Sequence, residues 1–306
     1  MKYLVTGVTG FIGRELVKEL DGEVYGLVRW THKKIKPENY IPVFADLRDY
    51  HAVSSIVKKL KPDVVVNLGA ITPVSLSFER PFEYMETNLI GSMNLVESNL
   101  RYNHRLEKFV HASTPEVYGK QTELPIKETA KLNPMSPYAV SKAAFDLYLK
   151  YLYEAHEFPC VLSRHANTYG RKDQTHFVVE SIVTQMLKGD EVYLGSKEPI
   201  RDFLYITDTV EFYKKLIKEG EPGEIYNAGW GIGYSIEEVV NVAKNVLNWR
   251  GRVYWNTIPR RPGEVPAIIL DASKARSALG WSPKVPLYEG IKLVANWFKT
   301  INNGKS

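Results

Sequence analysis

Lys2-Tyr3-Leu4-Val5-Thr6-Gly7-Val8-Thr9-Gly10-Phe11-Ile12-Gly13 is the stretch whose reading decides the fold. A short apolar run enters glycines spaced G-x-x-G-x-x-G, and a helical pattern from Phe11 to Leu20 follows. Glycine permits the tight turn and lets backbone N–H groups approach a pyrophosphate. A helix starting here points its positive end at the phosphates. The strand–turn–helix context predicts dinucleotide binding by Gly7, Gly10, Phe11, Ile12 and Gly13. The bland alternative is a turn that uses glycine for its shape alone.

The pattern continues outward from this turn. Strand-like runs at Val24–Val28, Pro42–Ala45, Val64–Val66, Phe109–Ala112 and Pro159–Leu162 are separated by helical patterns at His51–Leu60, 82–101 and 139–156. Val64-Val65-Val66 is β-branched and continuous, as expected of a strand buried on both faces. Such β-α alternation predicts an α/β fold, a Rossmann-type doubly wound parallel sheet. The last third is less regular. Short strands are expected near 192–194, 203–205, 225–226 and 253–255, with helices near 208–218, 235–247 and 288–300. The expected division is a dinucleotide-binding domain over 1–165 and a smaller α/β substrate-binding region over 166–306, partly interleaved with it.

Composition narrows the class. The chain has 306 residues, 44% hydrophobic and 25% charged, which suits a globular domain and not a disordered or fibrous chain. Lys+Arg 40 against Asp+Glu 35 gives +5, mildly basic and too diffuse for nucleic acid. The pairs Lys33-Lys34 and Lys58-Lys59 have no aromatic platform beside them. The single Cys160 excludes an internal disulfide, and a reducing, cytoplasmic location fits best. No run of about 20 apolar residues is present, so no membrane span is expected. No metal-ligand cluster stands out. Arg250–Arg261 is locally basic, but its prolines and aromatics read as ordered loop.

Two places carry information about cofactor and chemistry. The second strand ends in Val28-Arg29-Trp30, with no carboxylate where one would meet an adenosine ribose. Arg29 there suits a 2′-phosphate and favours NADP over NAD; the alternative is a solvated strand-end charge. Asp46 and Leu47 follow the third strand, placed to touch adenine. Tyr138-Ala139-Val140-Ser141-Lys142 sets Tyr and Lys at i and i+4 on one helix face. An ammonium beside a phenol is expected to lower the phenol pKa and make a usable general base. The spacing also arises by chance on exposed faces. A hydroxyl-rich turn, Ser113-Thr114-Pro115-Glu116-Val117-Tyr118-Gly119, directly follows a strand, where a doubly wound sheet presents reactive groups.

Taken together the motifs resemble the extended short-chain dehydrogenase/reductase family, specifically its nucleotide-sugar epimerases and dehydratases. The matching pieces run in order: Thr6-Gly7-x-x-Gly10-Phe11-Ile12-Gly13, Asp46-Leu47, Asn67-Leu68-Gly69-Ala70, Asn88-x-x-Gly91-Ser92 and Ser113-Thr114-x-Glu116-Val117-Tyr118-Gly119. Ser136-Pro137-Tyr138-x-x-x-Lys142, Arg164-x-x-Asn167-x-Tyr169-Gly170, Arg201-Asp202-Phe203 and Arg261-Pro262-Gly263-Glu264-Val265 complete them. The resemblance implies a tightly held NADP or NAD and a nucleoside-diphosphate sugar oxidised at C4. It implies Tyr138 as base, Lys142 as its partner and ribose contact, and Thr114 as partner of the sugar hydroxyl. Leu68 and Ala70 fall at cofactor positions, and Asn167, Arg201 and Arg261 at substrate positions. Arginine suits a diphosphate because its fork donates two N–H bonds at once; the alternative for each Arg is a surface salt bridge.

Three outcomes share the 4-keto intermediate: 4,6-dehydration, 4-epimerisation and 4-keto reduction. The turn Ala112–Lys120 is similar to that of GDP-mannose 4,6-dehydratases, and the resemblance implies Glu116 as the base at C5. Related 4-keto reductases share a Glu there, whereas many epimerases have a small or apolar residue. Pro115 departs from the dehydratase pattern, which has Asp or Ser. Arg171 departs where many members have proline. A non-catalytic protein that senses NAD(P) is the alternative of a different class. The family further implies a homodimer through helices at 82–101 and 136–156, with Phe145, Leu149, Leu152 and Tyr153 facing the partner unless they pack on their own sheet.

Overall fold

The computed structural model describes residues 1–30, 39–173 and 175–303. The strands are β1 (Lys2–Thr6), β2 (Glu23–Val28), β3 (Ile41–Phe44), β4 (Val64–Asn67), β5 (Lys108–Ala112), β6 (Cys160–His165) and β7 (Asn167–Tyr169). They continue as β8 (Glu191–Tyr193), β9 (Ile200–Arg201), β10 (Phe203–Tyr205), β11 (Ile225–Ala228), β12 (Tyr234–Ser235), β13 (Arg252–Tyr254) and β14 (Ala267–Ile268). The helices are α1 (Phe11–Leu16), α2 (Tyr50–Leu60), α3 (Val74–Glu79), α4 (Pro81–Tyr84), α5 (Gly91–Tyr102) and α6 (Pro137–His156). After them come α7 (Val178–Lys188), α8 (Ile206–Glu219), α9 (Ile236–Leu247), α10 (Ser273–Leu279) and α11 (Leu287–Asn303).

Seven strands form one sheet in the order β3-β2-β1-β4-β5-β6-β11, every neighbouring pair parallel. The period-2 alternation of strand side chains feeds two cores. Tyr3, Val5, Val64, Val66 and Val110 enter one, while Leu4, Val65, Phe109 and Leu162 enter the other. Both faces are therefore covered, as continuous β-branched strands require. From β1 the chain builds outward to β2 and β3, then crosses back to β4 on the other side. That reversal opens a crevice at the carboxyl ends of β1 and β4, where doubly wound sheets bind ligands. A third core joins α7, α9 and α11 through Ile182, Val183, Val239, Val240, Ile291 and Val294. Among the described residues no helix is long and apolar enough to cross a membrane.

Three local expectations change. The helix expected over Phe11–Leu20 ends at Leu16 and closes as a 3-10 turn, Val17–Glu19. The helix expected over 82–101 is α4, a π-helical turn (Met85–Ile90) and α5 in succession. Buried Asn88 sits in that widened turn and bonds both backbone groups of Ile71, at 2.8 and 3.1 Å. On α6, Phe145, Leu149 and Leu152 pack into the protein's own sheet, because they lie on the same face as Lys142. Tyr153 is exposed, and the outward apolar residues of this helix are Val140, Leu147 and Tyr151.

Candidate functional site

The glycine turn stands where the sheet reverses direction. Gly7 has φ +70°, and a Cβ there would lie 2.8 Å from the Leu68 carbonyl carbon. A Cβ on Gly13 would lie 2.2 Å from the Gly7 carbonyl oxygen, so the turn, the first turn of α1 and the segment after β4 close together only with glycine at 7 and 13. The Gly10 N–H donates to the Gly7 carbonyl at 2.8 Å. Thr6 Oγ1 donates to Asn67 Oδ1 (2.7 Å) and accepts from the Gly69 N–H (2.8 Å). This ties the turn to Leu68-Gly69-Ala70 and brings Gly7, Gly10, Phe11, Ile12, Gly13, Leu68 and Ala70 together. No side chain caps α1 and no acid stands in its first turn, which leaves its start fit for an anion. A Cβ-free cradle of this shape suits a dinucleotide diphosphate.

Arg29 is exposed at the end of β2, beside Trp30, whose ring stacks on Phe44 at 4.4 Å. Asp46 accepts from Arg48 Nε (3.0 Å) and Nη2 (2.8 Å), and these bonds, with a further contribution from Arg29, hold its carboxyl below the usual range. Arg29 and Asp46 thus share one strand-end cluster. Residues Lys33 and Lys34 lie outside the described residues.

The second cluster forms around the start of α6. Ser136 caps that helix by accepting from the Ala139 N–H at 3.1 Å, and Pro137 takes the first helical position. Tyr138, Lys142 and Asp146 follow at i, i+4 and i+8 on one face, and all three are buried. Lys142 Nζ donates to the Ala112 carbonyl at 2.8 Å. Thr114 caps the 3-10 turn Pro115–Tyr118 by accepting from the Glu116 N–H at 3.3 Å. Pro115 fits there because the first helical position needs no N–H donor. The Thr114 side chain lies close enough to the Tyr138 phenol to influence its proton.

Electrostatics show what else faces this spot. Burial raises the Tyr138 phenol, Thr114 opposes the rise, and the Glu116 carboxylate adds to it. Burial lowers the Lys142 ammonium to about 8, against the pull of Asp146. This corrects the expectation of a lysine-lowered phenol: among the protein's own groups, desolvation outweighs charge pairing, and the ammonium faces a backbone carbonyl. Arg201 is buried; burial lowers its pKa, Glu116 and Glu264 oppose that, and Arg261 reinforces it. Arg201 donates to the Ile200 carbonyl at 2.9 Å, and Arg261 Nη2 stands 3.5 Å from Glu264. Glu116 thus stands near enough to both the Tyr138 phenol and Arg201 for its charge to act on each, and Arg261 acts likewise on Arg201. Asn167 starts β7, in register with Phe203 of β10, and its N–H donates to the Asp202 carbonyl at 3.0 Å.

Sequence reasoning missed the support beneath Tyr138 and Lys142. Asp146 Oδ2 accepts from Ser113 Oγ (2.8 Å), Arg164 Nε (3.0 Å) and Arg164 Nη2 (2.9 Å). The Arg164 guanidinium also lies 4.8 Å from the centre of the Tyr118 ring. The spacing Tyr138-x-x-x-Lys142-x-x-x-Asp146 is the signal that would have revealed the carboxylate. His111, likewise buried, has its pKa held well down by burial and by Lys142, and its Nδ1 accepts from Asn67 Nδ2 at 3.2 Å.

Comparison with known proteins places this geometry in context. A protein-family model described as GDP-mannose 4,6 dehydratase matches residues 4–294. The mouse dTDP-D-glucose 4,6-dehydratase is 32% identical over 325 residues, covering 100% of this chain and 91% of its own. The solved UDP-glucose 4-epimerase of Thermotoga maritima with UDP-glucose superposes with a TM-score of 0.91 at 30% identity, covering 99% and 100%. The dTDP-glucose 4,6-dehydratase of Streptomyces venezuelae, solved with NAD, gives 0.88 at 25% identity, covering 99% and 98%.

Proposed function

The chain belongs to the GDP-mannose 4,6-dehydratase family, and from that membership we propose that it is an NAD(P)-dependent nucleoside-diphosphate-sugar 4,6-dehydratase, oxidising C4 and removing water across C5–C6. The observation that supports this reading is Glu116: its carboxylate acts electrostatically on both the Tyr138 phenol and the buried Arg201.

When bound, the nicotinamide would accept hydride from sugar C4 and return it later in the cycle at C6. Gly7, Gly10, Phe11, Ile12 and Gly13 hold its diphosphate, Leu68 and Ala70 flank it, and Asp46 with Leu47 meets the adenine side. Lys142 holds the ribose. Tyr138 Oη takes the C4 hydroxyl proton, with Thr114 fixing the hydroxyl. Burial favours the protonated phenol and the Thr114 contact opposes it, so Tyr138 acts as base only once the bound nicotinamide and sugar complete the site. Oxidation at C4 makes the C5 proton acidic. Glu116 takes that proton, and the C6–O bond breaks to leave a C5–C6 double bond. Proline has no side-chain donor, so Pro115 leaves the departing hydroxyl to Glu116, which gives it the C5 proton and releases water; the hydride would then return to C6, and a solvent proton relayed by Glu116 would close C5. Arg201 and Arg261 hold the sugar diphosphate, and Asn167 a sugar-side oxygen. These substrate contacts come from the region after residue 165.

Arg29 favours NADP within this reading. A homodimer through α5 and α6 belongs to it too, on the outward Val140, Leu147 and Tyr151.

A second reading, 4-epimerisation, is favoured by Pro115. With no acid at that position, C4 inversion needs only Thr114, Tyr138 and Lys142, and Glu116 becomes a bystander. Mass spectrometry of products from GDP-, UDP-, dTDP- and CDP-sugars tests the choice. Loss of one water supports dehydration; unchanged mass with inverted C4 replaces it by epimerisation.

A further inference from the structure

Arg171 is the residue at which the chain departs from the family pattern, and neither the chemistry above nor the predicted site uses it. Its guanidinium carbon lies 4.4 Å from the centre of the Phe11 ring and 3.5 Å from that of Phe177. Phe11 is the first residue of α1, inside the glycine turn. The head group is anchored on the other side. Nη1 donates to the Thr168 carbonyl at 2.5 Å and stands 3.6 Å from Glu180 Oε1. Buried Glu180 in turn accepts the N–H groups of Gly170 (2.8 Å) and Arg171 (2.9 Å). Thr168 belongs to β7, the strand that begins at Asn167.

Among the described residues the pairing with Glu180 is incomplete: Arg171 Nε and Glu180 Oε2 are both buried without a hydrogen-bond partner. Hydrogen bonding alone does not account for a cation in this spot. The two rings do, because a desolvated guanidinium against aromatic faces is strongly attracted. Asp173 adds a second tie to the same helix, an ion pair with Arg14 at 2.8 Å. That pair is exposed and counts for little alone.

We propose that Arg171 is a positioning residue for the bound dinucleotide: it clamps the Phe11 ring and so locks the diphosphate turn to the strand that carries Asn167. Arg171 touches no ligand in this account; it acts through Phe11. The benefit is retention. An enzyme that reuses one nicotinamide through both halves of its reaction must release it slowly, and a rigid turn does that. The inference rests on the dinucleotide reading of the glycine turn.

The test is the release rate of NADH and NADPH from the full-length protein, followed by nucleotide fluorescence after dilution into excess NAD or NADP. Arg171→Met should release the bound nucleotide about tenfold faster, within what a desolvated cation–π contact supplies. Arg171→Lys keeps the charge but not the planar face and should recover part of the loss. In a Phe11→Leu background, Arg171→Met should add less than about twofold, because the clamp has already lost its ring. If Arg171→Met does not fold, Arg171→Lys and Phe11→Leu carry the comparison, each expected to speed release. Release unchanged in these variants, or a full Arg171 effect persisting without the Phe11 ring, overturns the inference. Wild-type protein that binds neither nucleotide overturns the dinucleotide reading itself, and this inference with it.

Discussion

Asp146→Asn keeps the shape of the side chain and removes a charge on which three hydrogen bonds converge. Ser113 Oγ, Arg164 Nε and Arg164 Nη2 all donate to Oδ2, and Asp146 and Arg164 side chains are 2% and 3% exposed. The variant leaves the guanidinium buried without its counter-charge. Breaking a buried pair from one side costs about 3–5 kcal/mol. With an unfolding entropy of ~2.1 cal/mol/K per residue over this chain, that is a fall of roughly 5–8 °C in Tm. Calorimetry or denaturant unfolding reads it directly. Replacing both partners, Asp146→Leu with Arg164→Met, should return most of the loss, because an apolar pair of similar volume needs no counter-charge. A single variant within about 1 kcal/mol of wild type, or a double variant as unstable as the two singles summed, would refute the view that the pair is a closed unit under the turn after β5.

Tyr138→Phe should lower turnover about 100–10,000-fold with sugar affinity nearly unchanged, the range for losing a general base; steady-state kinetics with parallel binding measurements check it. Lys142, with its pKa lowered to about 8, loses its proton as pH rises through that value. Turnover should therefore fall on the alkaline side near there. Since the Asp146 carboxylate raises the Lys142 pKa, Asp146→Asn should move the fall to lower pH; a fall at unchanged pH would mean another group is titrating. Arg29→Ala should weaken NADPH binding selectively over NADH, and equal loss for both would leave Arg29 a surface charge.

What the sequence disclosed follows from where periodicity is long enough to be read. Val64-Val65-Val66 and the glycine turn after β1 each announce a buried parallel strand and its ligand-binding end. Strands such as Ile200–Arg201, Tyr234–Ser235 and Ala267–Ile268 have only two residues, and alternation cannot show over that length. The stripe Phe145–Leu149–Leu152 has helical spacing, but spacing does not say whether an apolar face meets its own sheet or a partner. Tyr138 and Lys142 were legible as a pair because they lie one turn apart. Their support was not, since Asp146, Ser113 and Arg164 meet only when α6, the turn after β5 and β6 pack together. The direction of the phenol shift also needed burial, which a linear sequence does not state.

The proposed dehydration turns on removal of the C5 proton by Glu116. Incubation with the accepted nucleotide sugar in deuterium oxide, followed by NMR and mass spectrometry, measures C5 exchange and water loss together in wild type and Glu116→Gln. The account predicts C5 deuteration and loss of water in wild type. In Glu116→Gln both should fall by about 100-fold or more, while oxidation at C4 continues. Wild-type protein that inverts C4 with no C5 exchange would contradict it, and would make the protein a 4-epimerase.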